Sequence, residues 1–295
     1  MARSTVSSDS RERDFAAGHA IAQLELSIGG GFETAIDVGR KVLSDELTAL
    51  DAAFDSLTSI EVRELLEVGC GLGTLLVPLL RRGYWVTGLD AQTQAVASCR
   101  ERLVSAGLST RINHGDVRTI RSEADYDAVL LMRGLLSLIP SEEGQLDALR
   151  RVRKAVRPGG LVIVEHRNLL SMWPVFGRRL LRRETLSDGR VVELGRQATI
   201  ISLESRVHER RWARVWTADQ DADAEIEADS MYEQHDHLRI ATVDGVTALL
   251  GRAGLELIHV EPHPVVEGPW HVLGPLYGTS HDDPSHVWIV ARRPV

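Results

Sequence analysis

The sequence predicts a doubly wound α/β fold: a mostly parallel sheet with helices on both faces, interrupted after its fifth strand by an inserted antiparallel β lid. Three observations carry this. Short apolar strands alternate with helix-period segments from residue 61 to 167, the pattern of a parallel sheet with helical crossovers. Beyond Arg167 the alternation gives way to period-two segments, and the first strand ends in Gly69-Cys70-Gly71-Leu72-Gly73.

In chain order, residues 14–58 carry a helical period, with Ala35, Ile36, Val38, Val42, Leu43, Leu47, Leu50 and Phe54 at three- and four-residue steps. Gly29-Gly30-Gly31 breaks the pattern before a second helix, and Ser44 is a candidate cap. Strands are expected at 63–68, 85–90, 111–114, 126–131 and 161–165. Helices are expected at 74–82, 94–107 and 142–156, the second closed by Gly107. Arg157-Pro158-Gly159-Gly160 is a turn before the fifth strand, whose unbroken apolar run is that of a buried parallel strand. The lid contributes strands at 190–194, 198–207 and 211–217. A helix at 242–254 and strands at 255–260 and 286–291 complete the core. The chain thus divides into an N-terminal helical segment (1–58), a core (59–167), a lid (168–240) and a C-terminal completion (241–295).

Composition narrows the function. The 295 residues are 43% hydrophobic and 26% charged, as in ordinary globular proteins. No apolar run approaches the roughly 20 residues of a membrane span. Residues 1–13 lack a secretory apolar region and read as a disordered lead-in. A net charge of -8 disfavours nucleic acid as a partner. The two cysteines, Cys70 and Cys99, are too few for a metal cage or disulfide framework. A cytoplasmic protein is expected, its oligomeric state open, with a homodimer among the options.

The glycine run is the strongest chemical signal. Glycine lets a backbone approach a ligand and adopt positive φ. In context, Glu67 lies two positions before Gly69, a helix follows, and Asp90 ends the next strand, where a carboxylate can accept ribose hydroxyls. A dinucleotide site would space its glycines Gly-x-Gly-x-x-Gly to cradle a pyrophosphate. Here the spacing is Gly-x-Gly-x-Gly, and a carboxylate at Glu67 suits a ligand bearing an amino group.

Residues 64–167 resemble the class I S-adenosylmethionine-dependent methyltransferase family, in its small-molecule branch. The matching segments are Leu66-Glu67-Val68-Gly69-Cys70-Gly71-Leu72-Gly73, Gly88-Leu89-Asp90, Gly115-Asp116-Val117, Tyr126-Asp127-Ala128-Val129 and Arg157-Pro158-Gly159-Gly160, in the family's order. The resemblance implies a Rossmann-like sheet ending in a reversed hairpin, with S-adenosyl-L-methionine as cofactor and the nitrogen or oxygen of a small molecule as methyl acceptor; the alternatives are a protein or RNA acceptor, or a non-catalytic cofactor-binding protein. It implies that Glu67, Gly69, Cys70, Gly71 and Gly73 form the loop beside the methionine part. Asp90 and the adjoining Ala91 would meet the ribose, Asp116 and Val117 the adenine, and Met132 would bound the substrate pocket.

On the substrate side, strand ends and lid supply candidates. His166, ending the fifth strand, is the first choice for a proton acceptor, with Arg133 at the fourth-strand exit and Tyr232 and His237 (beside His235) in the lid's return segment. The spacing of His263, His271, His281 and His286 matches no metal site, so no metal is expected. The Asn/Asp-Pro-Pro-aromatic motif of base methylation is absent from Leu131-Met132-Arg133-Gly134. Arg178, Arg179, Arg182 and Arg183 read as a solvated helix face, and the alternating acids from Asp219 to Asp229 as a solvent-facing strand. Trp173, Trp212, Trp216 and Trp270 can wall a pocket or pin the lid.

Overall fold

The structure, a computed structural model, describes residues 32–168, 176–186, 188–201, 205–217, 230–262 and 286–295. The expected lead-in at 1–13, Gly29 to Gly31, Trp173, Trp270, His263, His271, His281 and the acidic run from Asp219 to Asp229 lie outside the described residues. Within a sheet of seven strands, β1 (Glu64–Val68), β2 (Trp85–Asp90), β3 (Ile112–His114), β4 (Tyr126–Leu131) and β5 (Val156–Arg167) run parallel. β10 (Glu256–Pro262) and β11 (His286–Arg292) close the sheet as an antiparallel hairpin beside β5. The order is β10-β11-β5-β4-β1-β2-β3. The chain steps outward from β1 one way and returns through β4 the other way, so the β1/β4 boundary is the topological switch point.

Strand alternation sends successive side chains to opposite faces. Leu65, Ala128, Leu130, Leu161 and Ile163 pack on one side with α1 (Phe32–Ser56), α2 (Leu76–Arg81) and α3 (Thr93–Ser105). Leu66, Val129, Leu131, Val162 and Val164 pack on the other with α4 (Glu142–Ala155) and α5 (Val243–Arg252). Ser141 caps α4 by accepting from Gly144 N–H, and Thr242 caps α5 by accepting from Gly245 N–H. No described helix is long and apolar enough to cross a membrane.

The expected α/β core and inserted antiparallel sheet are borne out, with local corrections. Ser44 caps nothing: α1 runs through it, and its carbonyl accepts from Thr48 Oγ1 inside the helix. Arg157-Pro158-Gly159-Gly160 is not a turn but a bulge within β5, where pairing jumps from Tyr126↔Val156 to Ala128↔Leu161. Only Gly159, at φ 83, takes the left-handed conformation there. The inserted sheet is larger than expected, with β6 (Arg179–Thr185), β7 (Arg190–Ile201), β8 (Arg206–Thr217) and β9 (Ser230–Arg239) in one antiparallel meander. The arginines at 179–183 therefore sit on a strand, not a helix face. Arg179 and Arg183 stack over Trp212 and Trp216 and pair with the buried Glu193.

Candidate functional site

β1 stops where its glycines begin. Gly69, Gly71 and Gly73 have φ of 72, 52 and 72°, a conformation that side chains resist. A Cβ on Gly69 would lie 2.8 Å from Leu135 Cδ1, and one on Gly73 2.9 Å from Cys99 Sγ. A Cβ on Gly71 would meet only the Gly69 carbonyl oxygen, at 4.0 Å, so Gly71 faces open space. Gly69 and Cys70 N–H donate to the Leu89 carbonyl at 2.7 and 3.2 Å, which ties the turn to the end of β2. Both cysteines are free and buried beneath it.

Asp90 organises this turn. Its buried carboxylate accepts from Gly71 N–H through Oδ2 at 2.8 Å and from Gln92 N–H through Oδ1 at 2.9 Å. Burial raises its pKa against the opposing effect of those N–H groups. Beyond the family reading, Asp90 is thus also a loop brace. Ala91 is exposed, and its carbonyl pairs with the His114 ring at 3.1 Å. Asp116 caps a 3₁₀ turn at Val117–Thr119 and holds Arg118 bidentately at 2.8 and 2.7 Å. Val117 is buried behind it, and Met132 is buried at the exit of β4.

Under the turn, on the face covered by α1, three buried carboxylates lie beside the half-exposed Arg133. Arg133 Nη2 donates to Glu46 Oε2 at 2.8 Å, while its main-chain N–H donates to Glu165 Oε2 at 2.9 Å. Glu67 shares the strand parity of Leu65, which packs on the α1 side, so it lies on the same face of the sheet. Glu46, Glu67 and Glu165 are all buried. Burial raises the pKa of Glu46 and raises that of Glu67 well above the ordinary carboxylate value, the Arg133 charge opposing in both cases. Glu46 Oε1 and Glu67 Oε2 are buried with no hydrogen-bond partner. Arg133 itself sits at φ 59, strained for a non-glycine residue, and Gly134 follows at φ 68. This corner can receive a cation.

Glu46 was not among the sequence candidates. The available signal is positional: it falls three residues after Leu43 and four before Leu50, on the apolar stripe of α1 rather than its solvent face.

The proposed substrate-side residues are not brought together. His166 shares the strand parity of Val164, so it faces α5 and not the acidic corner. Its Nε2 lies 3.0 Å from the Ala241 carbonyl, and burial lowers its pKa, so the ring is neutral and donates there. On β9, Tyr232 points to one face while His235 and His237 point to the other. His208 stacks between those two rings at 5.1 and 4.8 Å. That histidine face is turned away from the core, because Glu209 on the opposite face of β8 reaches Arg167 of β5 at 3.4 Å. Among the described residues no cluster of His, Cys, Asp or Glu has metal-holding geometry.

Residues 65–160 match a family model described as a methyltransferase domain. A ubiquinone biosynthesis O-methyltransferase of Paracidovorax citrulli is 31% identical over 111 residues, 37% of this chain and 45% of that protein. One from Rickettsia conorii is 26% identical over 116 residues, 39% of each chain. The chain thus spans less than half the length of these relatives. Two solved structures share the fold across most of their length. An S-adenosylmethionine-dependent methyltransferase from Clostridium acetobutylicum superposes with a TM-score of 0.65 at 12% identity, covering 86% of this chain and 92% of that one. An amino pentose methyltransferase from Micromonospora echinaspora, solved with S-adenosylmethionine bound, gives 0.61 at 19% identity, covering 88% and 90%.

Proposed function

We propose that this chain, built on a class I methyltransferase domain, uses S-adenosyl-L-methionine to methylate the nitrogen or oxygen of a small-molecule acceptor. One observation carries the cofactor assignment: the buried surplus of carboxylate around Arg133, with Glu46 Oε1 and Glu67 Oε2 unpartnered. A buried charge is tolerated when it is paired, and the ammonium of a methionine-derived cofactor supplies the missing cation. A dinucleotide would bring its pyrophosphate against the same carboxylates, which repel it.

The residues fit the whole cofactor. Gly71 leaves room for close backbone approach, and the lone pairs of Asp90 not used by the N–H groups of Gly71, Ala91 and Gln92 remain for ribose hydroxyls. Asp116 and Val117 lie at the end of β3 for the adenine, and Met132 borders the transfer site. Cys70, packed below the turn, acts through it.

When bound, the sulfonium supplies an activated methyl group. The protein's task is orientation, since holding donor and acceptor in line is worth up to about 7–11 kcal/mol in favourable systems. Arg133, fixed by Glu46 and Glu165, shapes the floor of the transfer site. His166 is better suited to joining β5 to the start of α5 than to accepting a substrate proton. Two reduced, buried cysteines accord with a cytoplasmic location.

The test is incubation with methyl-labelled S-adenosylmethionine and a panel of small amines and hydroxyl compounds. Label transferred to at least one acceptor supports the proposal. Transfer only to protein or RNA added to the same assay would overturn the small-molecule part.

A further inference from the structure

The acidic corner is short of positive charge. Glu46 is fully buried and Glu67 and Glu165 are each 4% exposed, while the guanidinium beside them, Arg133, stands half in solvent. Arg133 Nη2 meets Glu46 Oε2 at 2.8 Å, and its main-chain N–H meets Glu165 Oε2 at 2.9 Å. Glu46 Oε1 and Glu67 Oε2 are left buried with no hydrogen-bond partner. A carboxyl oxygen sealed from water and without a donor is disfavoured as an anion and favoured as an acid.

The Glu46 charge is already matched by Arg133, so the proton belongs on Glu67. The charged and titratable groups that bear on Glu67 are Arg133 at the exit of β4, Glu46 on α1, Asp90 at the end of β2 and Cys99 on α3. Glu165 on β5 bears in turn on Glu46. All of these except Arg133 oppose a further anion in the corner. Burial is the larger effect and pushes the Glu67 carboxyl well above the ordinary carboxylate range, against the pull of Arg133.

We propose that the corner holds a proton in the free protein, on Glu67, and expels it to solvent when the ammonium of the cofactor binds, so that cofactor loading is coupled to pH. The inference rests on the cofactor assignment above for the identity of the ligand. Charge balances: a carboxylic acid and an ammonium become a carboxylate paired with that ammonium, and the proton passes to buffer. Below the free-state pKa of Glu67, each unit of rising pH should tighten cofactor binding up to about tenfold, the slope that linkage gives for a single proton.

The experiment is calorimetric titration of the full chain with S-adenosylhomocysteine near neutral pH, in phosphate and in Tris, whose different ionisation heats count the protons transferred. Release approaching about one proton per bound molecule is expected. 5′-Methylthioadenosine, which keeps the nucleoside and the sulfur but lacks the amino group, should release none. Glu67→Gln imitates the protonated acid; it should lose the release and flatten the rise of affinity between about pH 6 and 8. Glu46→Gln covers the case in which Glu67→Gln does not fold. It removes a neighbouring anion and frees Arg133 to neutralise Glu67, so the release should shrink. Binding of S-adenosylhomocysteine without proton release, equal release with methylthioadenosine, or undiminished release in the variants would overturn the proposal and leave the cofactor assignment standing. A wild-type protein that does not bind S-adenosylhomocysteine would overturn both.

Discussion

The Gly71 N–H donates to Asp90 Oδ2 across 2.8 Å, joining the glycine turn after β1 to the last residue of β2. One carboxylate thus fixes the turn and, in the proposed function, faces the ribose. Asp90→Ala should lower S-adenosylhomocysteine affinity at least about tenfold, because charge-assisted hydrogen bonds are worth roughly 1.5–3 kcal/mol each. The fold should persist, since the residue ends a strand. Calorimetric titration alongside circular dichroism checks this; unchanged affinity in a folded variant would show that Asp90 does not touch the cofactor.

Gly195 lies flat under Trp212, and a Cβ there would stand 1.9 Å from the ring's Cε2. The indole cannot easily swing aside, because Arg179 and Arg210 flank it at 5.1 and 4.9 Å. Gly195→Ala should therefore destabilise the second sheet by about 1–3 kcal/mol, the usual range for overpacking. Urea unfolding would measure the loss, while S-adenosylhomocysteine affinity should stay near wild type.

The core was legible in the sequence because its signals are local. Period, strand-end glycines and Asp90 need no knowledge of distant contacts. What the sequence hid depends on tertiary pairing. Pro158-Gly159 looks like any turn, and only the jump in register against β4 reveals a bulge. Glu46 is buried because Arg133, 87 positions away, reaches it. The arginines at 179–183 suit a helix or a strand equally well, and pairing with β7 decides for the strand. Tyr232 and His237 looked clustered in sequence, yet strand alternation separates them.

His166 gives a pH signature. Burial depresses its native pKa below the ordinary 6.5. Its stabilising contribution is complete above 6.5 and is lost as pH falls toward the native value, because the unfolded chain then binds more protons. His166→Gln cannot titrate, so its stability should fall less steeply with acidification below pH 6.5. Urea midpoints for both proteins across that range decide it; parallel slopes would mean that His166 is not the buried neutral group described.

In the proposed function the glycine turn and the acidic corner beneath it select a sulfonium cofactor over a dinucleotide, a claim that calorimetric titration with S-adenosylhomocysteine and with NAD decides. The homocysteine adduct should bind, stabilising the native state by about 2.7 kcal/mol at a hundredfold excess over its Kd, and NAD should release no binding heat. NAD binding without any response to S-adenosylhomocysteine would contradict the claim.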